Sequence, residues 1–314
     1  MTIETDIDKY NLMFIIDDKY NHILPTLFNN ISKVSSDIVN NLTFNISYFG
    51  DKNSSEDLLQ SLSKLNLNIK LKVIQDEFAD LVELLEYHYS KTTHHIQIPT
   101  ASVYFRFFLA STWSELNGKL LYLDTDILVR ESLSKLFALT PTETKYPLFA
   151  PAYSTEITSL PFEVGTKERH QMINKIFGKH EKLKKDYENA NLDIIKHNIE
   201  RPLFNGGVWF YDLDVIRSGI YEDKMRICME MQSIEKIFLN NDQGIMNFVF
   251  SDFYHLPPEW NSLHFGHSAS KPTVSSNLSK IVHFNGQIKP WSKSIPEWYD
   301  KFALDEWITY KFLK

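Results

Sequence analysis

Short apolar runs of strand length alternate with helix-like segments through the first half of the chain. Residues 11–16, 42–49 and 69–74 are three such runs, and a segment whose apolar side chains recur at helical spacing follows each of them. This alternation is typical of a mostly parallel sheet that is covered by helices on both faces. A chain of 314 residues is long enough to bury such a sheet. The sequence therefore predicts an α/β fold.

A pair of aspartates interrupts the fourth apolar run. Residues 119–123 are mostly apolar, Asp124, Thr125 and Asp126 follow, and residues 127–129 are apolar again. Two carboxylates one residue apart repel each other at the end of a buried strand unless a cation compensates them. Carboxylate oxygens are ligands that Mg²⁺ and Mn²⁺ prefer, and such ions leave positions for substrate phosphates. The pattern favours a metal–diphosphate site, and a polar turn or helix cap is the alternative.

Polar residues also lie at the ends of other predicted elements. Asp17 and Lys19 follow the first strand, where α/β sheets bind ligands, so they either meet a nucleotide or cap the next helix. Arg106 interrupts an aromatic segment, and as a buried arginine it needs an internal carboxylate, a phosphate or the metal-binding acids as its partner. Asn205 precedes two glycines, and its amide suits sugar hydroxyls or belongs only to a tight turn.

The second half of the chain offers further candidates for a site. Asp242 and Gln243 precede an apolar helix, where they either cap the helix or project into a cleft beside a reacting group. His283 ends a short strand and has an imidazole that suits a metal ion. Gly286 and Lys289 follow in a loop, where a backbone amide and an ammonium suit a diphosphate. A structural histidine and a surface lysine are the alternatives.

Composition and charge argue against several classes of protein. The net charge of −7 and the lack of a dense basic run argue against nucleic-acid binding. The single cysteine, Cys228, excludes intrachain disulfides and multi-cysteine zinc sites. No apolar run reaches the length of a membrane span, so we expect a cytoplasmic protein. The aromatic and charged C-terminal residues leave peripheral contact with the inner face of the membrane open, although packing on the domain is favoured.

In this order, the motifs resemble glycosyltransferase family 8. The resemblance rests on the first-strand Asp-Asp, the arginine-bearing helix, Leu-Tyr-Leu-Asp-Thr-Asp, Phe-Asn-Gly-Gly-Val, Asn-Asp-Gln and His-Phe-Asn-Gly-x-x-Lys-Pro-Trp. It covers residues 11–291 and implies a retaining, metal-dependent enzyme with the Rossmann-like GT-A fold. The likeness is greatest to bacterial lipopolysaccharide and lipooligosaccharide galactosyl- and glucosyltransferases.

The resemblance also implies roles for individual residues. Asp124, Asp126 and His283 would hold Mn²⁺, or Mg²⁺, against the diphosphate of a UDP-sugar. The other donor contacts would come from Thr125, from Gly286 and Lys289 at the phosphates, from Asp17 and Lys19 near the uridine, and from Arg106, Asn205, Asp242 and Gln243 around the transferred sugar. The family often has alanine at one of the positions of Gly206 and Gly207, and we expect that exchange to be conservative.

The predicted reaction is the transfer of glucose or galactose from a UDP-sugar to a glycan, glycolipid or glycoprotein. We expect one catalytic domain over residues 1–291, in which residues 154–201 form a variable, acceptor-shaping insertion, and a helical appendage over residues 292–314. One alternative is a sugar-nucleotide-binding or self-glycosylating protein with vestigial transfer. Another is a metal-dependent nucleotidyltransferase or phosphotransferase, because paired acids and lysines also serve phosphoryl chemistry.

Overall fold

The computed structural model describes residues 9–92, 100–153, 166–192, 202–238, 241–264, 272–275, 277–286, 288–297, 299 and 301–311. Their strands are β1 Tyr10–Asp17, β2 Leu42–Phe49, β3 Asn68–Val73, β4 Lys119–Leu123, β5 Ile127–Val129, β6 Leu148–Tyr153, β7 Leu203–Phe204, β8 Val208–Asp212, β9 Tyr254–Leu256, β10 Ser262–Leu263 and β11 Ile281–His283. Their α-helices are α1 Leu24–Val34, α2 Lys52–Ser63, α3 Ile74–Glu77, α4 Ala79–Thr92, α5 Leu109–Thr112, α6 Leu133–Phe137, α7 Thr166–Phe177, α8 Glu181–Asn189, α9 Leu213–Ser218, α10 Tyr221–Ile234, α11 Asp242–Val249 and α12 Lys301–Thr309. Four 3₁₀ turns, at Asn21–Ile23, Val39–Asn41, Ala101–Phe108 and Pro258–Asn261, complete the described elements.

The central sheet has the strand order β3-β2-β1-β4-β8-β6-β7, with β9 beside β6. Strands β3, β2, β1 and β4 are mutually parallel, and β9 is parallel to β6. Strand β8 is antiparallel to both β4 and β6, and β7 is antiparallel to β6. All strands of the sheet except β8 and β7 therefore point the same way, which confirms the predicted α/β fold with a mostly parallel sheet.

Alternate side chains of the central strands enter two hydrophobic clusters, one on each face of the sheet. In β4, Leu121 and Leu123 join the cluster that contains α1, whereas Leu120 and Tyr122 join the cluster that contains α10 and α11. Successive side chains of a strand point to opposite faces, so both faces of the sheet are covered. Cys228 is fully buried within the second of these clusters, where it packs as an apolar side chain.

The smaller sheet has the strand order β10-β11-β5. Its strand β5 follows the carboxyl end of β4 in the sequence. Strand β5 leaves the central sheet after Asp126 and pairs antiparallel with β11, so that Ile127 faces His283. The backbone N–H of Phe284 donates to the carbonyl of Asp126 over 2.9 Å. This pairing joins the acidic turn to a strand more than a hundred residues later.

Two helix boundaries differ from the sequence prediction. The polar residues 54–57 predict the cap of the helix that follows β2, but Asp51 caps α2 by accepting from the backbone N–H of Ser54 over 2.9 Å. The sequence also predicts one helix over residues 212–231, which the structure divides into α9 and α10 at Gly219, where the backbone is extended with φ −111° and ψ −173°. Both differences come from local capping and backbone geometry, which leave the sheet unchanged.

Helices also occupy parts of the predicted insertion and of the predicted C-terminal segment. Helices α7 and α8 lie within the insertion, whose residues 154–165 and 193–201 are outside the described residues. Helix α12 packs through Trp307, whose ring centroid lies 5.3 Å from that of Trp291. Trp298 and Phe312 are outside the described residues. No helix in the described part of the chain is long and apolar enough to cross a membrane.

Candidate active site

The junction of the two sheets brings together the three predicted metal ligands. Asp124 and Asp126 follow β4, and His283 ends β11. Their ligand atoms all lie within 4.8 Å of one another. Nε2 of His283 is 3.2 Å from Oδ1 of Asp126 and 3.6 Å from Oδ2 of Asp124. Residues that are far apart in sequence thus form one compact cluster, with half-buried Thr125 between its two acids.

Lys289 joins this cluster from the loop after β11. Its Nζ contacts Oδ2 of Asp126 and donates to the carbonyl of Phe284 over 2.7 Å. Burial would raise the pKa of Asp126, but the ammonium of Lys289 and the neighbouring His283 side chain outweigh it and hold this pKa well below its usual range. Asp126 therefore remains a carboxylate throughout the physiological range of pH.

The cluster fits a divalent cation. Nδ1 of His283 lies 3.0 Å from the side-chain oxygen of Asn261, so Nδ1 donates and Nε2 faces the acids. With the hydrogen on Nδ1, Nε2 and the two carboxylates are all acceptors, so their close approach favours a positive charge between them. Two hard oxygen donors with one imidazole suit Mn²⁺ or Mg²⁺, which would take its remaining ligands from water or substrate.

The two glycines of the Asn-Gly-Gly turn lie against different parts of the site. A Cβ atom on Gly207 would lie 2.3 Å from Cε1 of His283 and 3.0 Å from Oδ2 of Asp124. A Cβ atom on Gly206 would instead meet Nη1 of Arg106 at 2.7 Å. The expectation that alanine is conservative is therefore wrong at Gly207, where a methyl group meets the His283 ring, whereas at Gly206 the end of the Arg106 side chain would have to shift.

The partners of Arg106, which the sequence left open, are internal carboxylates. Arg106 is buried, and its Nη1 lies 3.3 Å from Oδ2 of Asp242 and donates to the carbonyl of Gly206 over 3.0 Å. Its Nη2 donates to the hydroxyl of Tyr122 over 3.0 Å and lies 3.6 Å from Oδ1 of Asp124. Arg106 thus connects Asp124, one of the three clustered residues, to the start of α11.

Tyr122 was not among the predicted site residues. Its hydroxyl donates to Oδ1 of Asp124 over 2.7 Å while it accepts from Arg106. Its ring stacks on Trp209, with centroids 4.6 Å apart. The alternation of strand side chains places residues 122 and 124 on the same face, and this signal was present in the sequence.

The amides of Asn205 and Gln243 contact each other. Oε1 of Gln243 accepts from Nδ2 of Asn205 over 3.1 Å and from the backbone N–H of Gly206 over 3.2 Å. Both lone pairs of this oxygen are thus engaged.

Burial raises the pKa of Asp242, and the attraction of Arg106 offsets that effect only in part.

The remaining candidates lie at the end of β1 and in the loop after β11. Asp17 ends β1 and accepts from the backbone N–H of Lys19 over 3.0 Å, while the side chain of Lys19 is exposed. Burial raises the pKa of neighbouring Tyr20. The charge of Lys289 lowers this pKa, and the charges of Asp126 and Asp17 raise it, so the turn after β1 and the cluster act on the same side chain. Gly286 has a φ of 142°, a conformation that favours glycine.

Solved structures with the same fold are glycosyltransferases. The chain superposes on the galactosyltransferase LgtC with a TM-score of 0.63 and 17% identity, covering 97% of each chain. The bifunctional glycosyltransferase WbbM matches with a TM-score of 0.62 and 17% identity, over 99% of this chain and 50% of WbbM. GlyE from Streptococcus pneumoniae matches with 0.58 and 15% identity, over 98% of this chain and 62% of GlyE. The fold is therefore that of the GT-A glycosyltransferases.

The sequence itself defines the family. A sequence model of glycosyl transferase family 8 matches residues 11–294. The chain therefore belongs to glycosyltransferase family 8. A comparison with curated proteins finds no match.

Proposed function

We propose that this glycosyltransferase retains the anomeric configuration and transfers glucose or galactose from a UDP-sugar with the help of Mn²⁺ or Mg²⁺. The observation that carries the proposal is the cluster of Asp124, Asp126 and His283, whose ligand atoms lie within 4.8 Å of one another beside the ammonium of Lys289. A metal ion there and the lysine would both attract a diphosphate. LgtC, a galactosyltransferase, was solved with donor and acceptor sugar analogues, which supports a similar reaction here.

In this proposal, the loop after β11 stabilises the departing diphosphate. The metal ion supplies Lewis-acid stabilisation of the charge on UDP. Lys289 approaches the same charge with an ammonium that Asp126 and the Phe284 carbonyl hold in place. Gly286 offers a backbone amide, and Asp17 and Lys19 lie toward the uridine. Thr125 completes the donor contacts between the two metal-binding acids.

The sugar lies against Arg106, Asn205, Asp242 and Gln243 in this proposal. Oε1 of Gln243 already accepts two hydrogen bonds, so Gln243 offers the sugar its N–H donors and is poorly placed to attack the anomeric carbon. Asp242 is held by Arg106. We therefore favour a front-face reaction in which a phosphate oxygen of UDP accepts the proton of the acceptor. The exchange of an active-site glutamine for glutamate in LgtC identifies a glutamine in the site of that protein.

The acceptor in this proposal is a glycan, a glycolipid or a glycoprotein. We propose that the segment of residues 154–201, including α7 and α8, shapes the acceptor site. The catalytic domain over residues 1–291 and the appendage over residues 292–314 remain predictions, as do the cytoplasmic location and peripheral contact with the inner face of the membrane.

Donor hydrolysis by the purified protein tests this function. UDP-glucose, UDP-galactose, UDP-GlcNAc and GDP-mannose are each incubated with Mn²⁺ and with EDTA, with and without added pyrophosphate, and free nucleotides, sugar and sugar 1-phosphate are measured. We expect one UDP-hexose to be hydrolysed to UDP and sugar only when the metal is present. Formation of UTP and sugar 1-phosphate from the UDP-sugar and added pyrophosphate would instead identify a nucleotidyltransferase. Tight binding without turnover would identify a binding protein with vestigial activity, and turnover of equal rate in EDTA would contradict the metal site.

A further inference from the structure

Asn261 lies between the metal cluster and the sugar side of the site, although no motif in the sequence points to it. It ends the 3₁₀ turn Pro258–Asn261 before β10 and is fully buried. Its Oδ1 is 3.0 Å from Nδ1 of His283, and its Nδ2 is 3.2 Å from Oδ1 of Asn205. Asn205 in turn donates to Gln243. One chain of hydrogen bonds therefore connects His283 to Gln243.

Two backbone N–H groups determine which atom donates and which accepts in every hydrogen bond of this series. The N–H of Gly207 donates to Asn205 over 2.9 Å, so the atom that it contacts is the oxygen of Asn205. The group of Asn261 that meets the same oxygen must then be its NH₂, which leaves the Asn261 oxygen facing His283. Nδ1 of His283 must consequently carry a hydrogen, and Nε2 is left to face the acids.

The other end of the chain is determined in the same way. The N–H of Gly206 donates to Gln243, so the side-chain oxygen of Gln243 faces Gly206 and Asn205. Among the described residues, no hydrogen bond from Nε2 of Gln243 is found. The directions of these hydrogen bonds therefore leave the N–H groups of the Gln243 side chain available to donate to a sugar.

The backbone around Asn261 is held from a third element. The hydroxyl of Tyr153, at the end of β6, donates to the backbone carbonyl of Asn261. Neighbouring Trp260 is buried in the hydrophobic cluster that contains α1. Because its backbone is fixed in this way, the Asn261 side chain has little freedom to turn away from His283 and Asn205.

We infer that Asn261 is a positioning residue with two effects: it holds His283 in the tautomer that presents Nε2 to the metal, and it orients the Asn205–Gln243 pair at the sugar. The inference rests on the proposed metal and donor site. A hydrogen bond to the second nitrogen of a metal-binding histidine fixes its tautomer and orientation, and its loss typically weakens metal binding about 10- to 100-fold. The link to Asn205 predicts a second effect, on the sugar, that can be separated from the first.

Two variants separate these effects. Asn261→Leu removes both bonds at similar volume. Asn261→Asp keeps an acceptor for His283 but places an oxygen, without a donor, against the oxygen of Asn205. Asn45→Leu is the matched control, since Asn45 is also fully buried and bonds the backbone of Leu12, in β1. Mn²⁺ affinity is measured by calorimetry at pH 8, and the tautomer of His283 by ¹⁵N NMR of the metal-free protein, with His283→Gln identifying the signal.

The expected result is a split between the variants. Asn261→Leu should bind Mn²⁺ about tenfold or more weakly and lose the Nδ1–H signal, whereas Asn261→Asp should keep the signal and bind within about threefold of the native protein. Asn261→Asp should nevertheless lower kcat/KM for the donor about tenfold or more. An unchanged tautomer in Asn261→Leu, or equal losses of metal affinity in the two variants, would overturn the inference. The NMR result does not require turnover, so failure of the proposed function would be seen separately, in the native protein.

Discussion

The two halves of the site treat charge in opposite ways. In the half that we propose binds the metal ion, the metal half, Asp124, Asp126 and His283 converge on one point. The ammonium of Lys289 contacts Asp126, and Asp124 has the guanidinium of Arg106 3.6 Å away, which it shares with Asp242. In the half that we propose faces the sugar, the sugar half, the guanidinium of Arg106 lies 3.3 Å from Asp242 and donates to Tyr122 and to the carbonyl of Gly206. Three carboxylates thus share two cations, and the excess negative charge lies on the metal half, where the two acids converge.

Because of this difference, we expect the metal half to contribute mainly to the affinity for the metal ion and phosphate, and the sugar half mainly to the orientation of the sugar. A half-site with excess negative charge gains binding energy from a metal ion, and through it from a phosphate. A half-site whose charges are already paired offers directed hydrogen bonds and little further net charge. Arg106 therefore acts mainly by fixing Asp124, Asp242 and the turn at Gly206, and we expect changes in the two halves to alter different measured quantities.

The largest effect is expected from removing one acid of the metal half. Asp126→Asn removes a metal ligand and leaves Lys289 without its carboxylate, so transfer from the UDP-sugar should fall about a thousandfold. Turnover and Mn²⁺ affinity are measured on the same preparation. Asp57→Asn, the same exchange on the exposed face of α2, should leave both unchanged. Native turnover by Asp126→Asn would show that this cluster does not hold the catalytic metal.

The two adjacent glycines provide a sharper comparison of the halves. Gly207→Ala places a methyl group 2.3 Å from the His283 ring, so Mn²⁺ affinity should fall about 10- to 100-fold. Gly206→Ala places it 2.7 Å from Nη1 of Arg106, so the KM for the donor should rise while metal affinity falls much less than in Gly207→Ala, because Arg106 touches the metal half only through Asp124. Metal titration and donor kinetics on both variants check this. If the two variants lost metal affinity equally, the halves would be coupled more tightly than their contacts indicate.

Features that depend on local sequence were predicted well. The limits of β2 agree with the apolar run at residues 42–49, and the acidic turn follows β4 as expected. Both could be predicted because the apolar side chains of a buried strand form a recognisable run in the sequence. The grouping of Asp124, Asp126 and His283 came from a family resemblance. No local pattern shows that β5 pairs with β11.

Features that depend on contacts between distant elements were missed. The partners of Arg106 lie on β4 and α11, and the role of Tyr122 depends on where that guanidinium points. Asn261 follows a proline-rich turn that carries no motif, and its neighbours come from β11 and the turn before β8. The glycines looked interchangeable because a sequence does not show which side chain each one faces.

The smallest expected effect distinguishes the halves by the sign of a stability change. Lys289 and His283 hold the pKa of Asp126 below its unfolded value, so ionised Asp126 stabilises the fold above that value, and this stabilisation is lost as the pH falls through the folded pKa. Burial raises the pKa of Asp242, so its protonated form is favoured in the fold, and the stability it contributes is lost as the pH rises through the folded pKa.

Denaturant unfolding in EDTA should therefore give opposite results for the two neutral variants. Asp126→Asn should lower the free energy of unfolding by about 2 kcal/mol, equally at pH 7 and pH 5, because both values lie above the unfolded pKa of an aspartate. Asp242→Asn should be neutral or slightly stabilising at pH 7, and any gain should shrink as the pH falls toward the raised pKa of native Asp242. Asp57→Asn again serves as the control. A loss at Asp242→Asn as large as that at Asp126→Asn would mean that attraction to Arg106 outweighs burial, and the sugar half would then depend on its ion pair as strongly as the metal half does.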